Sequence, residues 1–298
     1  MYNKILVENC LKNETIYLYL KRNGFSENYV KNLRKKEGYI LLNKSVAYTN
    51  ALIKNGDLLE LFKNPNVNKI NLNLIQNQIP ITIIYEDDDI LVVNKPSGMP
   101  TIPSRKHLEY NLASAVANYM RKKDSNFVVR IINRLDKDTS GLVCIAKHSL
   151  ISNLLNSNDY IRKTYFAICS GKVKPVTINK NIATITNELG INYQKRIISK
   201  NGKPAITYVK PIAFDGTNTL CEITLKYGRT HQIRVHLASI NHSLLGDCIY
   251  GVASDKICHT ALACSKMIIY NPINNKEINL KIDLPDDMIQ AFHTSFVL

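Results

Sequence analysis

The chain has 298 residues, a length that allows one sizeable hydrophobic core and a small appended domain. It has no apolar run of the ~20 residues needed to cross a bilayer, no signal-peptide pattern, and seven scattered cysteines without a C-x-x-C pair. We therefore expect a cytoplasmic protein without a disulfide framework or zinc site. Its 39 basic and 24 acidic residues give a formal net charge of +15, which favours nucleic acid as a partner, although a compositional bias toward Lys, Asn and Ile would also produce this charge.

Two short helices are predicted at the start of the chain. In TIYLYLKRNG, Ile16 and Leu20 lie four residues apart on one helical face, and Gly24 is placed to end the helix. Ser26 can cap the second helix, SENYVKNLRKK. These helices predict a small N-terminal domain at residues 1–63.

The second helix carries a basic stripe formed by Lys31, Arg34 and Lys35. Two β-like runs follow, YILLNKSVAYTNA and ALIKNGDLLELF, and the NG pair in the second run predicts a hairpin or turn. The whole pattern resembles the alpha-L RNA-binding motif, named for ribosomal small-subunit protein four. That resemblance implies that the stripe, together with Lys44, lies against RNA phosphates. A solvated helix face would also explain the stripe.

A linker and a second, larger domain complete the predicted organisation. Residues 64–79 are rich in asparagine and lack an amphipathic period, as linkers do. In residues 80–298 many strand-length runs are interrupted by two helices, NLASAVANYM and HSLISNLLNS, which predicts an α+β domain with a large, mainly antiparallel mixed β-sheet flanked by helices and loops. The predicted strands are ITIIYEDD, DILVVNKP, FVVRIINRLD, GLVCIAK, KTYFAICSG, AITYVKPIAF, TLCEITLKYG and THQIRVHLA.

The acidic stretch RLDKDTSG, residues 134–141, allows three interpretations. Residues 136–141 match the first half of a calcium-loop pattern, D-x-[DN]-x-[DN]-G. The twelfth position of such a loop needs a bidentate glutamate and is Lys147 here, and the residues before it form an apolar run, so calcium is disfavoured. From these residues alone, an ordinary polar turn and a catalytic aspartate both stay open.

A second polar cluster is KYGRTHQIRVHLA, residues 226–238. On a regular strand Gln232 and Arg234 would share one face, whereas His231 and His236 would lie on opposite faces, which disfavours a metal site between the histidines. Two further stretches, LLGDCIYG and LVVNKPSGMPTIPS, are Gly- or Pro-containing loops of a kind that positions functional groups or only turns the chain.

Taken in order, these stretches resemble the RluA/RluD-type pseudouridine synthases, which isomerise uridine within structured RNA. The resemblance runs over residues 80–298 through LVVNKPSGMPTIPS, RLDKDTSGLVCIAK, RKTYFAICSG, GKPAITY, GRTHQIRVHLA with LLGDCIYG, and KIDLPDDM. Three departures from the family pattern occur, none of them at the three residues assigned to the chemistry below. Asn133, Ala263-Cys264 and Asn271-Pro272 stand where the family often has His, His-Ala and His-Pro.

The resemblance implies a site and a chemistry that needs no cofactor or metal. It assigns the catalytic carboxylate to Asp136, its cationic partner to Arg234 and the aromatic that packs on the target base to Tyr165. Breaking the bond from the anomeric carbon to ring nitrogen 1 suits a carboxylate, acting either as nucleophile or as the base that removes the 2′ proton. Arg234 would keep that carboxylate ionised, holding both of its oxygens in a planar fork. The cations expected to hold the flanking RNA phosphates are Arg134, Lys137, Lys163 and Arg229.

Two other functions compete with this one. A catalytically silent RNA-binding protein would use the N-terminal domain and the basic surface alone. A nucleoside glycosidase would use Asp136 and Asp138 as an acid/base pair and release free uracil. For the synthase we expect large-subunit ribosomal RNA as substrate, with transfer RNA as the next candidate, and a monomer.

Overall fold

The computed structural model describes residues 2–63, 79–104, 107–125, 127–157, 160–186, 192–251 and 253–292. Nearly all of the predicted linker, residues 64–78, lies outside the described residues. In the described parts of the chain, no helix is long and apolar enough to span a membrane.

The N-terminal unit is a four-stranded antiparallel sheet with two helices. Thr15 and Ser26 cap the helices through their hydroxyl oxygens, which accept the N–H groups of Leu18 and Tyr29. Asn43 and Lys44 both have positive φ, the requirement of a two-residue hairpin turn. The NG pair forms a turn closed by the Asp57 N–H on the Lys54 carbonyl. The elements are β1 (Tyr2–Leu6), α1 (Ile16–Arg22), α2 (Glu27–Leu33), β2 (Ile40–Leu42), β3 (Ser45–Val46) and β4 (Leu58–Phe62), in the sheet order β1-β4-β2-β3.

A mixed sheet of ten described strands dominates the rest of the chain, which confirms the predicted fold class. Its strands are β5 (Thr82–Glu86), β6 (Ile90–Lys95), β7 (Arg130–Ile131), β8 (Ser140–Ala146), β9 (Ile161–Ser170), β10 (Val176–Asn179), β13 (Ile206–Phe214), β14 (Asn218–Lys226), β15 (Leu262–Asn271) and β16 (Lys276–Lys281). The order across the sheet is β10-β13-β14-β9-β15-β8-β6-β5, with β16 paired to β15 and β7 to β8. All its pairings are antiparallel except that of β15 with β8.

Four helices and a separate hairpin surround this sheet. The hairpin consists of β11 (Ile182–Thr186) and β12 (Asn192–Ile198). The helices are α3 (Leu112–Arg121), α4 (Ser149–Ser157), α5 (Gln232–Ala238) and α6 (Asp286–Ala291).

Two strand predictions are wrong, and each has a physical reason. THQIRVHLA forms helix α5 and not a strand, and the side chains of residues 232–237 are all buried. An apolar alternation cannot separate strand from helix when every face of a short segment is buried. In FVVRIINRLD only β7 is extended, because the Asn133 side chain takes over pairing with β8 by accepting the Cys144 N–H and donating to the Leu142 carbonyl.

Helix α4 contributes side chains to two hydrophobic clusters. Leu150 and Leu154 pack into the cluster of the N-terminal unit, whereas Ile151 and Leu155 pack into the main cluster beneath the large sheet. The N-terminal unit is also bonded to α4 by the Lys63 carbonyl, which accepts from the Ser149 hydroxyl and the Leu150 N–H. Helix α4 is therefore part of both hydrophobic clusters.

Candidate active site

Asp136 lies on a tight turn between β7 and β8. Hydrogen bonds connect this turn to Lys95, at the end of β6, and to the loop that follows. Lys95, which is fully buried, donates from Nζ to the carbonyls of Pro96, Met99 and Lys137 at 2.8, 2.7 and 3.1 Å. The Thr101 hydroxyl donates to the Leu135 carbonyl at 2.6 Å. Burial lowers the pKa of Lys95 to about 7, although Asp138 and Asp136 oppose the shift.

Gly141 explains why the turn ends in TSG. Its φ is +112°, and an added Cβ would collide with the backbone of Cys264 on β15. This close approach occurs where β8 and β15 pair in parallel, with Ser140 opposite Ala263 and Gly141 opposite Cys264. The glycine therefore lets the strand that follows the acidic turn pair closely with β15.

Arg234 lies beside Asp136 but is gripped by a different carboxylate. Its Nη1 is 3.8 Å from Asp136 Oδ2, within ion-pair range and too long for a hydrogen bond. Its Nε and Nη2 donate to the two oxygens of Asp247 at 2.8 and 2.7 Å. The predicted fork from Arg234 to Asp136 is therefore wrong, because the fork is occupied by Asp247.

Asp247 is a site residue that the sequence analysis treats only as part of a turn. It is fully buried, and its Oδ1 also accepts the N–H groups of Ile249 and Tyr250. Burial would raise the pKa of Asp247, but the hydrogen bonds and charge of Arg234, together with the N–H groups of Ile249 and Tyr250, outweigh burial, so the pKa lies below its ordinary value. The carboxylate stays charged and fixes the direction of the guanidinium.

His231 is a second basic side chain near Asp136, and Tyr250 contacts His231. His231 Nε2 is 3.9 Å from Asp136 Oδ2, and its Nδ1 is 2.9 Å from the Tyr250 hydroxyl. That hydroxyl accepts the Arg196 N–H from β12, and the Tyr250 ring lies 5.3 Å from the Arg234 guanidinium carbon. Burial lowers the pKa of His231 despite the neighbouring Asp136, so the imidazole is neutral near pH 7.

A cavity of about 370 Å³ opens above these groups. Its lining includes Asp136, Tyr165, Arg234 and His231, and of the two acids in the turn only Asp136 belongs to it among the described residues. Burial raises the pKa of Tyr165 well above its ordinary value, so its hydroxyl is protonated at neutral pH. The structure thus gathers the three residues assigned to the chemistry around one space.

The predicted RNA contacts fall in three places. Arg134, Lys163 and Arg229 line the cavity, whereas the exposed Lys137 does not. The other four lie on the N-terminal unit, where Arg34 is partly engaged through its bond to the Thr49 hydroxyl and its stacking on Tyr17. The exposed remainder is Lys31, Lys35 and Lys44.

Each family departure has a structural partner. Asn133 lines the cavity while bonding to β8. Cys264 is opposite Tyr165 in the β9–β15 ladder. Asn271 donates to the buried Asp89 at 2.9 Å. Two of the three departures are therefore next to the cavity, even though none replaces Asp136, Tyr165 or Arg234.

Comparisons with known proteins agree with the fold and the motifs. The RNA pseudouridylate synthase family model matches residues 89–239. YhcT, an uncharacterized RNA pseudouridine synthase of Bacillus subtilis strain 168, is 33% identical over 264 residues, covering 86% of this chain and 85% of the relative. The ribosomal large subunit pseudouridine synthase D of Blochmanniella floridana is 33% identical over 283 residues, covering 84% and 86%.

A solved structure, that of human RNA pseudouridylate synthase domain containing 4, superposes with a TM-score of 0.58 at 19% identity, covering 71% of this chain and 92% of that one. Fold and motifs together define an RNA-modifying isomerase. The chain belongs to the RNA pseudouridylate synthase family, in its RluA/RluD branch.

Proposed function

We propose that this enzyme converts uridine to pseudouridine in large-subunit ribosomal RNA and that Asp136 is its essential carboxylate. The observation that carries the proposal is the position of Asp136 at the cavity, 3.8 Å from an arginine that a second, buried carboxylate holds in place.

The reaction is an isomerisation that needs a charged carboxylate near the ribose. The bond from the anomeric carbon to ring nitrogen 1 breaks, the uracil turns, and carbon 5 bonds to the anomeric carbon. Carbon 5 loses its proton and nitrogen 1 gains one, so no oxidant or reductant enters. Asp136 acts as nucleophile at the anomeric carbon or as base toward the 2′ proton. In either role Arg234 places a positive charge 3.8 Å from that carboxylate.

Tyr165 and His231 shape the rest of the site. The Tyr165 ring provides a flat apolar wall for a uracil, and its protonated hydroxyl donates a hydrogen bond. The neutral His231 places an imidazole nitrogen at the ribose end of the cavity without adding charge beside Asp136. Both groups act on a nucleotide that has left its helix or was never paired.

The choice of substrate rests on relatives and on charge. Relatives named ribosomal large subunit pseudouridine synthase D align over most of both chains. The N-terminal unit, taken as an alpha-L RNA-binding module at residues 1–63, adds the basic stripe predicted from the sequence. Transfer RNA is the second candidate. The proposal includes a cytoplasmic location, a monomer, and a catalytic domain at residues 80–298.

Release of tritium from RNA labelled at uridine carbon 5 tests the proposal. The purified enzyme should release tritium from a large-subunit ribosomal RNA transcript while the base stays attached, and Asp136→Asn should lower the rate by several orders of magnitude. Free uracil would instead indicate the glycosidase, and binding without release would indicate a silent RNA binder.

Sequencing with a carbodiimide stop, in cells with and without the gene, should then locate the modified uridine. A site that disappears from transfer RNA alone would replace ribosomal RNA as the proposed substrate.

A further inference from the structure

Tyr227 stands out at the end of β14 because its backbone is strained and its ring is exposed. Its φ is +67°, a region that bulky side chains rarely adopt, and its relative exposure is 44%. A strained and exposed residue contributes little to the stability of the fold, and such residues cluster where a protein contacts its ligands.

The other positive-φ positions strengthen this point. The described chain has eight non-glycine residues with positive φ, and five of them are asparagine, the residue best suited to that backbone. The three exceptions are Lys44, His231 and Tyr227. Lys44 is an expected RNA contact and His231 lines the cavity. Tyr227 thus joins two residues already tied to RNA or to the site.

Two cations accompany the ring. The Arg229 guanidinium carbon is 5.3 Å from the ring centroid, and Lys226 Nζ is 5.6 Å from it. Arg229 is anchored, because its Nε donates to the Pro204 carbonyl at 3.1 Å. An aromatic ring combined with fixed and flexible cations matches a nucleotide, which offers a base to stack and a phosphate to pair.

The ring is also next to the catalytic cavity. Leu225 and Gly228, which flank Lys226 and Tyr227 in the chain, both line that cavity, and so does Arg229. If a uridine occupies the cavity, the nucleotide joined to it would emerge at the mouth of the cavity, within reach of the Tyr227 ring.

We propose that Tyr227 is a base-stacking platform for an unpaired nucleotide adjacent to the target uridine, with Lys226 and Arg229 holding the phosphate between the two nucleotides. The proposal rests on the function proposed above and adds a binding site to it. Because stacking tolerates any base, the site contributes affinity and holds the strand while the uridine is in the cavity.

Tryptophan fluorescence offers a direct test because the chain has no tryptophan of its own. Tyr227→Trp places a single tryptophan on the proposed platform. Tyr208→Trp is a matched control, since Tyr208 is 43% exposed and lines a different surface pocket. Titration with single-stranded oligouridylate should quench the fluorescence of the Tyr227→Trp variant much more than that of the Tyr208→Trp variant. Equal quenching of the two variants, or none, would overturn the proposal.

Kinetics on the tritium-labelled ribosomal transcript provide the second test. Tyr227→Ala should raise KM roughly 5- to 150-fold, the range expected for the loss of one base–aromatic stack, with a smaller change in kcat. Tyr227→Phe should stay within about twofold of the wild type because it keeps the ring. Tyr208→Ala should match the wild type.

Tyr227→Asn separates binding from folding. Asparagine suits the positive φ, so the melting temperature should stay the same or rise while KM increases as for Tyr227→Ala. An unchanged KM in this variant would refute the platform. If the wild type releases no tritium, the proposed function fails, whereas the fluorescence titration still decides the stacking proposal because it needs only binding.

Discussion

Arg234 is hydrogen-bonded to the carboxylate of Asp247 and lies within ion-pair range of the carboxylate of Asp136. The bidentate contact to Asp247 fixes the plane of the guanidinium, and this leaves Nη1 free to face Asp136 at 3.8 Å. A cation fixed in advance does not have to be reoriented when charge changes on the substrate. Under the proposed mechanism, Asp247 therefore acts on the reaction through Arg234, as a positioning residue.

Asp247→Asn should impair both stability and rate. The change leaves the buried guanidinium with one charged partner instead of two, and removing one member of a buried pair costs about 3–5 kcal/mol. Arg234 should then shift toward Asp136. We expect a lower melting temperature and a fall in kcat of more than about tenfold, with KM less affected.

Asp287→Asn is the control for this change, because it also removes a carboxylate that contacts a basic side chain, here the contact of the exposed Asp287 with His259 at 2.6 Å. That variant should retain the wild-type kcat and melting temperature within error. Equal losses in the two variants would show that Asp247 has no special link to Arg234.

At the scale of single residues, the motifs led to Asp136, Tyr165 and Arg234, but not to the groups that orient them. Asp247 appears in the sequence as one acid in a Gly-bounded turn, and its partner is 13 positions earlier on a helix. His231, at the start of α5, has positive φ and lies 3.9 Å from Asp136. Contacts made by tertiary packing leave no local pattern.

At the scale of elements, α5 is fixed by its own buried histidine. His236 Nε2 donates to the Lys180 carbonyl and its Nδ1 accepts from the Thr207 hydroxyl, both at 2.9 Å. A neutral ring with one proton satisfies both contacts. Burial accordingly lowers the pKa of His236 below the ordinary value of 6.5, a shift that the Lys180 carbonyl only partly opposes.

The shift at His236 predicts lower stability in mild acid. With the folded pKa below the unfolded one, the unfolded chain binds more protons, so the free energy of unfolding is highest above pH 6.5 and falls as the pH drops below that value. His236→Gln keeps a donor and an acceptor but does not titrate. Its unfolding free energy, measured with urea, should fall less than that of the wild type between about pH 6.5 and pH 5.

Gly141, which follows the turn that carries Asp136, is at a position where a residue with a side chain does not fit. Gly141→Ala combines positive-φ strain with a collision against the Cys264 backbone, so it should destabilise the protein by more than about 2 kcal/mol. Gly216→Ala is the matched control, because Gly216 has φ +96° but open space around it, and should cost only about 1 kcal/mol. Urea unfolding of both variants measures the difference, and equal losses would mean that the approach to β15 is unimportant.

The elements were predictable to different degrees. Helices α1 to α4 and strands β5, β6, β8, β9, β13 and β14 follow from caps and from apolar periodicity. Strand β15 is absent from the predicted strands although it lies between β8 and β9, since its place depends on non-local pairing. The two-residue β7 is shorter than predicted because one asparagine side chain replaces a stretch of backbone pairing.

At the scale of the whole molecule, α4 joins the N-terminal unit to the catalytic sheet. Leu150 and Leu154 lie on one face of the helix, toward the cluster of the N-terminal unit, and Ile151 and Leu155 lie on the adjacent face, toward the main cluster. A polar group reinforces the junction, since Lys63 lies 3.3 Å from Asp89, which also pairs with His148 at 2.8 Å. The N-terminal unit is thus attached by a packed surface and a buried charge cluster, in addition to the chain itself.

This attachment predicts that the two faces of α4 can be weakened separately. Leu154→Ala removes a side chain that is 3% exposed from the N-terminal cluster, and Leu155→Ala removes one that is 4% exposed from the main cluster. Each should cost about 2–5 kcal/mol. Hydrogen exchange should show lost protection at residues 2–63 in the first variant and in β6 and β8 in the second.

The two leucine variants should also differ in their enzyme kinetics. If the N-terminal unit binds RNA as proposed, Leu154→Ala should raise KM on a long ribosomal transcript, because the cations of that unit lose their fixed position relative to the cavity, while kcat at saturating RNA should change little. Leu155→Ala should lower kcat, because it loosens the core that supports Asp136. If both variants lose protection across the entire chain, the two units fold as one cooperative body and the N-terminal unit is not a separable RNA-binding module.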